Sequence, residues 1–83
     1  MGMTEAETFV VIFLHYYGKG GTIAEAVANA KAAGFRYPRG KRKAEALVYA
    51  IGCPVDQVEV TGDVGVRVNW PKDVPALQFD MEL

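Results

Sequence analysis

Gly18-Lys19-Gly20-Gly21-Thr22-Ile23-Ala24-Glu25-Ala26-Val27-Ala28-Asn29-Ala30-Lys31-Ala32-Ala33-Gly34 reads as a turn, a capped helix and a stop. Thr22 is placed to accept a hydrogen bond from an orphan amide of the first turn. Glu25 follows it at capping-box spacing. Six of the twelve residues 22–33 are alanine, the best helix former. Ile23, Ala26, Val27, Ala30 and Ala33 fall on one stripe, with Glu25 and Asn29 on the other side. Gly34 suits the left-handed position that follows a last turn. A stripe of such small residues lets the helix lie close to its cover, and a flat sheet is the natural partner.

Upstream, Phe9-Val10-Val11-Ile12-Phe13-Leu14-His15-Tyr16-Tyr17 is β-branched and aromatic and ends at Gly18. It reads as one strand, with Phe9, Val11, Phe13 and Tyr17 on one face and Val10, Ile12, Leu14 and Tyr16 on the other. Two apolar faces make it central and covered on both sides. A helix is the rival reading, because Thr4 and Glu7 form a second capping-box pair and Gly18 suits a C-cap. Residues 1–8 begin polar and are expected to fray.

Downstream, residues 35–43 hold five of the nine basic side chains, and Pro38 and Gly40 make them a loop. Ala44, Leu47, Val48 and Ile51 have helical spacing, but Leu47 to Ile51 also fits a buried strand. The strand is preferred, since the first strand needs sheet neighbours. In residues 56–70, Val58 and Val60, then Val66, Val68 and Trp70, alternate with polar residues. A two-residue turn would mix the faces. A three-residue loop, Gly62-Asp63-Val64, pairs Val60 with Val66 and Val58 with Val68, and sets Glu59 across from Arg67 on the wet face. Pro71 to Pro75 breaks the hairpin off. Leu77, Phe79, Met81 and Leu83 then alternate with Gln78, Asp80 and Glu82, so residues 71–83 read as a C-terminal arm ending in a strand.

Eighty-three residues form one small domain, 1–83, with a marginal core that gains from oligomerisation. A net charge of −1 gives no global pull toward nucleic acid or acidic membranes. The longest strictly apolar run, Phe9 to Leu14, is six residues, too short to span a bilayer. The single cysteine, Cys53, excludes an internal disulfide and fits a reducing, cytoplasmic setting.

Chemistry is sparse. His15 is the only histidine and reads as a core or strand-edge residue. Cys53 lacks a sequence-local base and reads as a structural thiol. Gly18-Lys19-Gly20-Gly21-Thr22 precedes a helix, where amides attract anions, but Lys19 comes before the last glycines and the phosphate-loop pattern is absent. No catalytic residue, metal ligand or cofactor is expected. Arg36, Tyr37, Arg39, Lys41, Arg42 and Lys43 are the candidate nucleic-acid contacts, since phosphate neutralisation plus stacking holds nucleic acid; a solvated loop is the plainer alternative.

Two resemblances bear on function. Residues 21–31, Gly-Thr-Ile-Ala-Glu-Ala-Val-Ala-Asn-Ala-Lys, resemble the strand exit and helix of HicB-type antitoxins. Residues 9–71, with their Gly-x-Thr helix, Ala33-Gly34, and Gly65, Trp70 and Pro71, look like the small β-α-β-β accessory proteins of phages and other mobile elements. That likeness implies an interaction role rather than an enzyme. The expected fold is α+β, a small, mainly antiparallel sheet with one helix on one face. The alternative is a winged helix, with helices near 5–17, 22–33 and 41–51 and the hairpin as wing. The expected function is protein binding as a homodimer, through Val10, Ile12, Leu14, Leu77, Phe79 and Met81, with an unidentified protein partner and no membrane. A nucleic-acid-binding regulator is the alternative.

Overall fold

A computed structural model describes residues 6–83. Among these residues the strands are β1 (Thr8–Phe13), β2 (Tyr16–Gly20), β3 (Glu45–Ile51), β4 (Glu59–Thr61), β5 (Arg67–Asn69) and β6 (Ala76–Glu82), and the one α-helix is α1 (Ile23–Ala32). A 3-10 turn, Val55–Gln57, precedes β4. One antiparallel sheet has the order β2-β1-β3-β6, and β4 and β5 form a separate two-stranded ribbon. The fold is therefore α+β, and the winged-helix alternative is wrong. Residues 8–13 and 45–51 are strands, because their β-branched and aromatic side chains bury on both faces of a sheet. The expected fraying of residues 1–8 fails at Glu7, whose amide reaches Ile51 O at 2.9 Å, and at Thr8, which is fully buried in β1. Residues 1–5, Thr4 among them, lie outside the described residues.

The helix forms as its sequence dictates. Thr22 Oγ1 accepts from Glu25 N at 3.1 Å, and Glu25 Oε1 accepts from Gly21 N at 2.8 Å. At the other end Gly34 takes φ 121°. Its amide reaches Lys31 O at 3.0 Å, and Phe35 N reaches Ala30 O at 3.1 Å, the paired bonds of a Schellman stop. Ala26 and Ala30 are buried and Ile23 and Val27 half-buried, while Ala33, expected on the stripe, is exposed.

The expected single strand 9–17 is instead a hairpin. The chain reverses at Leu14-His15, with Leu14 at φ 57°, and pairs Phe13 with Tyr16 and Phe9 with Gly20. Sterics disfavour positive φ for leucine, so nothing in the residue types announces this turn. Two strands thus precede the helix, and Gly18 and Gly20 lie inside β2 rather than bounding it. Their placement has a reason. A Cβ on Gly18 would collide with Ala26 O and Ala30 N, and one on Gly20 would sit 2.6 Å from Glu25 Cβ. The helix therefore rests on bare backbone.

Directly paired residues share a face. On one face Val11, Phe13, Ala46 and Val48 form a core with Ala26, Ala30 and Phe35. Phe13 and Phe35 stack with centroids 3.9 Å apart. On the other face Val10, Ile51, Cys53 and Val58 form a second core, flanked by Ile12, Tyr49, Val60, Val68 and Trp70. The β4-β5 ribbon covers this face, which the sequence had left available to a partner.

The ribbon keeps its expected faces but not its register. Val60 pairs with Val68, Glu59 with Asn69 and Thr61 with Arg67. The loop is thus 62–66, two residues longer than expected, and Glu59 does not face Arg67. A shift of two preserves the alternation. Glu59 and Arg67 are exposed, Val58 is buried, and Val60, Val66, Val68 and Trp70 are half-buried. Gly62, the first residue of the loop, packs against the Tyr17 ring, where a Cβ would lie 2.9 Å from the ring edge.

Candidate interaction surface

The C-terminal arm is not free. Residues 76–82 pair with β3 in a register running from Ile51↔Ala76 to Glu45↔Glu82. Beyond it, Ala44 and Leu83 exchange backbone bonds of 3.3 and 2.9 Å, and Gly52 N reaches Pro75 O at 3.0 Å. The antiparallel alternation follows from those two anchor points. Leu77, Phe79 and Met81 turn their amides and carbonyls toward β3. Ala76, Gln78, Asp80 and Glu82 turn theirs outward, at the sheet's open edge.

The side chains divide the same way. Leu77 lies opposite Ala50, Phe79 opposite Val48 and Met81 opposite Ala46, all on the helix face. The helix packs chiefly over β2 and β1. Leu77 remains 70% exposed, Phe79 38% and Met81 40%. They form one apolar row along the edge strand, beside small residues of β3.

The other expected interface residues are placed differently. Val10 is fully buried beneath the ribbon, and Ile12 is half-buried on that same face. Leu14 is 90% exposed, but at the hairpin tip rather than on a strand face. Only Leu77, Phe79 and Met81 come together on one accessible surface. The alternation of the tail signalled their shared face; the helix's position, which leaves them bare, had no sequence signal.

The basic loop splits into two parts. Arg36 Nη1 donates to Lys31 O at 3.1 Å and to Phe35 O at 2.9 Å, so its charge caps the carbonyl end of α1. Tyr37 packs edge-on to Phe35 at 5.2 Å and to Phe13 at 6.4 Å, and Lys31 Nζ lies 4.8 Å over its ring. Arg39, Lys41, Arg42 and Lys43 are exposed. The free charge is thus concentrated in residues 39–43, without the aromatic ring expected to stack beside it.

Lys19 Nζ donates to Val55 O at 3.1 Å and Val58 O at 2.6 Å, tying the 3-10 turn to β2. A cleft of about 480 Å³ beside it is lined by Asp56, Glu59, Asn69 and Trp70. Thr8 Oγ1 donates to Cys53 O at 2.5 Å. Burial pushes the Cys53 thiol up, and the charges of Glu7 and Asp56 push it the same way, which keeps it protonated and unreactive. His15 is exposed at the hairpin turn, against the Tyr16 ring at 4.4 Å, and is not a core residue. Among the described residues no group of three or more His, Cys, Asp and Glu could hold a metal ion. None of their helices is long and apolar enough to cross a membrane.

No protein-family model matches the chain, and no curated protein or solved structure is significantly similar to it.

Proposed function

We propose that the chain is a non-enzymatic accessory protein of a mobile element that acts by binding protein, as a cytoplasmic homodimer. The observation that carries the binding role is the bare row Leu77, Phe79 and Met81. Apolar side chains lined up on an edge strand are a surface that water disfavours and a partner strand or face can cover. The mobile-element assignment rests on the resemblance of residues 9–71 to phage accessory proteins, and the cytoplasmic one on the single, unbridged Cys53. Light scattering at micromolar concentration tests the dimer. The expected mass is near twice the 9.0 kDa of one chain, and a mass near 9.0 kDa at every concentration overturns it.

Exposure of Arg39, Lys41, Arg42 and Lys43 favours a second reading, a nucleic-acid-binding regulator, which the HicB-like stretch 21–31 also suggests. Phosphate contacts weaken with salt. A salt-dependent gel shift, lost on Arg39→Ala with Lys41→Ala, would support it; no shift at low salt removes it.

A further inference from the structure

We infer that the open edge of β6 pairs with β6 of a second copy, antiparallel, about a twofold axis through Phe79. The inference rests on the dimer reading above and specifies how that dimer is built.

Edge strands that must stay alone are blunted by proline, inward charge, lysine or a bulge. Within Ala76–Glu82 there is no proline, no lysine and no break in the ladder to β3. The opposite edge, β2, is shorter, contains two glycines and carries Lys19. The sheet thus offers one long edge whose only charges are the carboxylates of Asp80 and Glu82.

The backbone restricts how two such edges meet. Only the even-numbered residues of β6 turn their amides and carbonyls outward, so an antiparallel pair must set even against even. Twofold axes at Gln78, Phe79 or Asp80 satisfy this. An axis at Asp80 places its carboxylate directly against its own copy, which like charge disfavours. An axis at Gln78 pairs Met81 with Pro75 and Glu82 with Val74, beyond the end of the strand. An axis at Phe79 pairs all seven residues of β6. Gln78 of one copy meets Asp80 of the other, Ala76 meets Glu82, and no two carboxylates are directly opposed.

The side chains select the same axis. On the helix face Phe79 meets Phe79, and Leu77 of each copy meets Met81 of the other. These are non-hydrogen-bonded pairs, where side chains lie closest. The residues brought together are the ones left 70%, 38% and 40% exposed in the single chain. An unrelated strand would need this same pattern, apolar on one face and free of acid opposite Asp80 and Glu82. The chain's own edge supplies it.

Disulfide trapping reads the register directly. Hydrogen-bonded antiparallel pairs have Cα atoms about 5.5 Å apart, within reach of a disulfide. Two full-length variants, Gln78→Cys and Asp80→Cys, are mixed and mildly oxidised with diamide, while Cys53 stays buried and silent. The expected product is the mixed disulfide, in excess over either homodimer. A dominant Gln78→Cys homodimer or Asp80→Cys homodimer moves the axis and overturns the proposed register. No disulfide in any mixture, from a chain that scatters as a dimer, overturns edge pairing and leaves the dimer reading standing. A monomer throughout overturns both. A second variant, Gln78→Pro, removes an outward amide that β3 does not use, as edge strands tolerate. Its circular dichroism should match the parent's, while the dimer dissociation constant rises about tenfold or more, from lost hydrogen bonds. An unchanged constant overturns the edge assignment.

Discussion

The two halves of the helix-bearing sheet face are built from the same alternating pattern and end in opposite states. Over β2 and β1 the helix sits on Gly18 and Gly20, and Phe13 stacks with Phe35 beneath it. Toward the outer edge, Ala46 and Val48 of β3 still belong to the helix-side core, but Leu77, Phe79 and Met81 of β6 on the same face are exposed. Alternation sets which side chains share a face. What covers that face depends on one ten-residue helix, too narrow for a sheet of four strands. The closed half supplies stability, and the open half supplies a surface.

The largest test of that contrast substitutes one large residue in each half. Phe35→Ala removes a ring that is 6% exposed, and should cost about 3–5 kcal/mol in urea denaturation. Leu77→Ala, at 70% exposure, should change the folding stability of the monomer by less than about 0.5 kcal/mol. Comparable losses from the two would mean that the halves are not divided as described.

Gly18→Ala comes next. Its added Cβ meets helix backbone rather than a movable side chain, so the helix must lift. A loss of about 1–3 kcal/mol is expected, as for other overpacked contacts. The same exchange at exposed Gly40 meets no atom, but its φ of 77° still strains alanine, so only a smaller loss is expected there.

The basic loop sharpens the comparison at its border. Arg36→Ser should cost about 1 kcal/mol through loss of the bonds that cap α1. Joint replacement of Arg39, Lys41 and Arg42 by Ser should stay within about 0.5 kcal/mol, since these side chains are exposed. Equal effects would erase the division between a structural arginine and free charge.

The smallest effect concerns pH. The folded state holds the Cys53 proton more tightly than the unfolded chain, whose thiol titrates near 9.0. The buried neutral thiol therefore contributes fully below pH 9.0, and that contribution declines as pH rises past it. Denaturation of the parent should weaken more steeply above pH 9 than that of Cys53→Ala, and parallel curves would remove the effect.

Much of this fold is legible in the residues. The capped helix, its Gly34 stop and its small-residue stripe follow from local chemistry, which acts within a few residues. The alternating tail follows from side-chain period, while the strand expected from Leu47, whose apolar spacing also fits a helix, followed from the first strand's need for sheet neighbours and in fact begins at Glu45. Three things were hidden. The Leu14-His15 reversal uses none of the residues that favour tight turns, so the two strands read as one. The ribbon register slipped by two, because alternation is blind to even shifts. The role of Arg36 depended on where the helix ended and which carbonyls it left open. For the candidate surface, the apolar faces of 77, 79 and 81 were readable, but Val10 and Ile12 were not separable from them. Their burial comes from the ribbon crossing the far face, a long-range event.

The seat of the helix also leaves a mark by which distant relatives of this chain could be recognised. Where backbone lies on backbone, no compensating change of side-chain size can widen the gap, and drift at those positions is blocked together. Gly18 and Gly20 stand one residue apart on a strand, and Ala26 and Ala30 one helical turn apart facing them. The outer residues of the helix are free to vary around them. A search pattern of Gly-x-Gly, five residues, then Ala-x-x-x-Ala, placed between a β-branched run and an Ala-Gly stop, encodes the spacing of helix and sheet rather than any function.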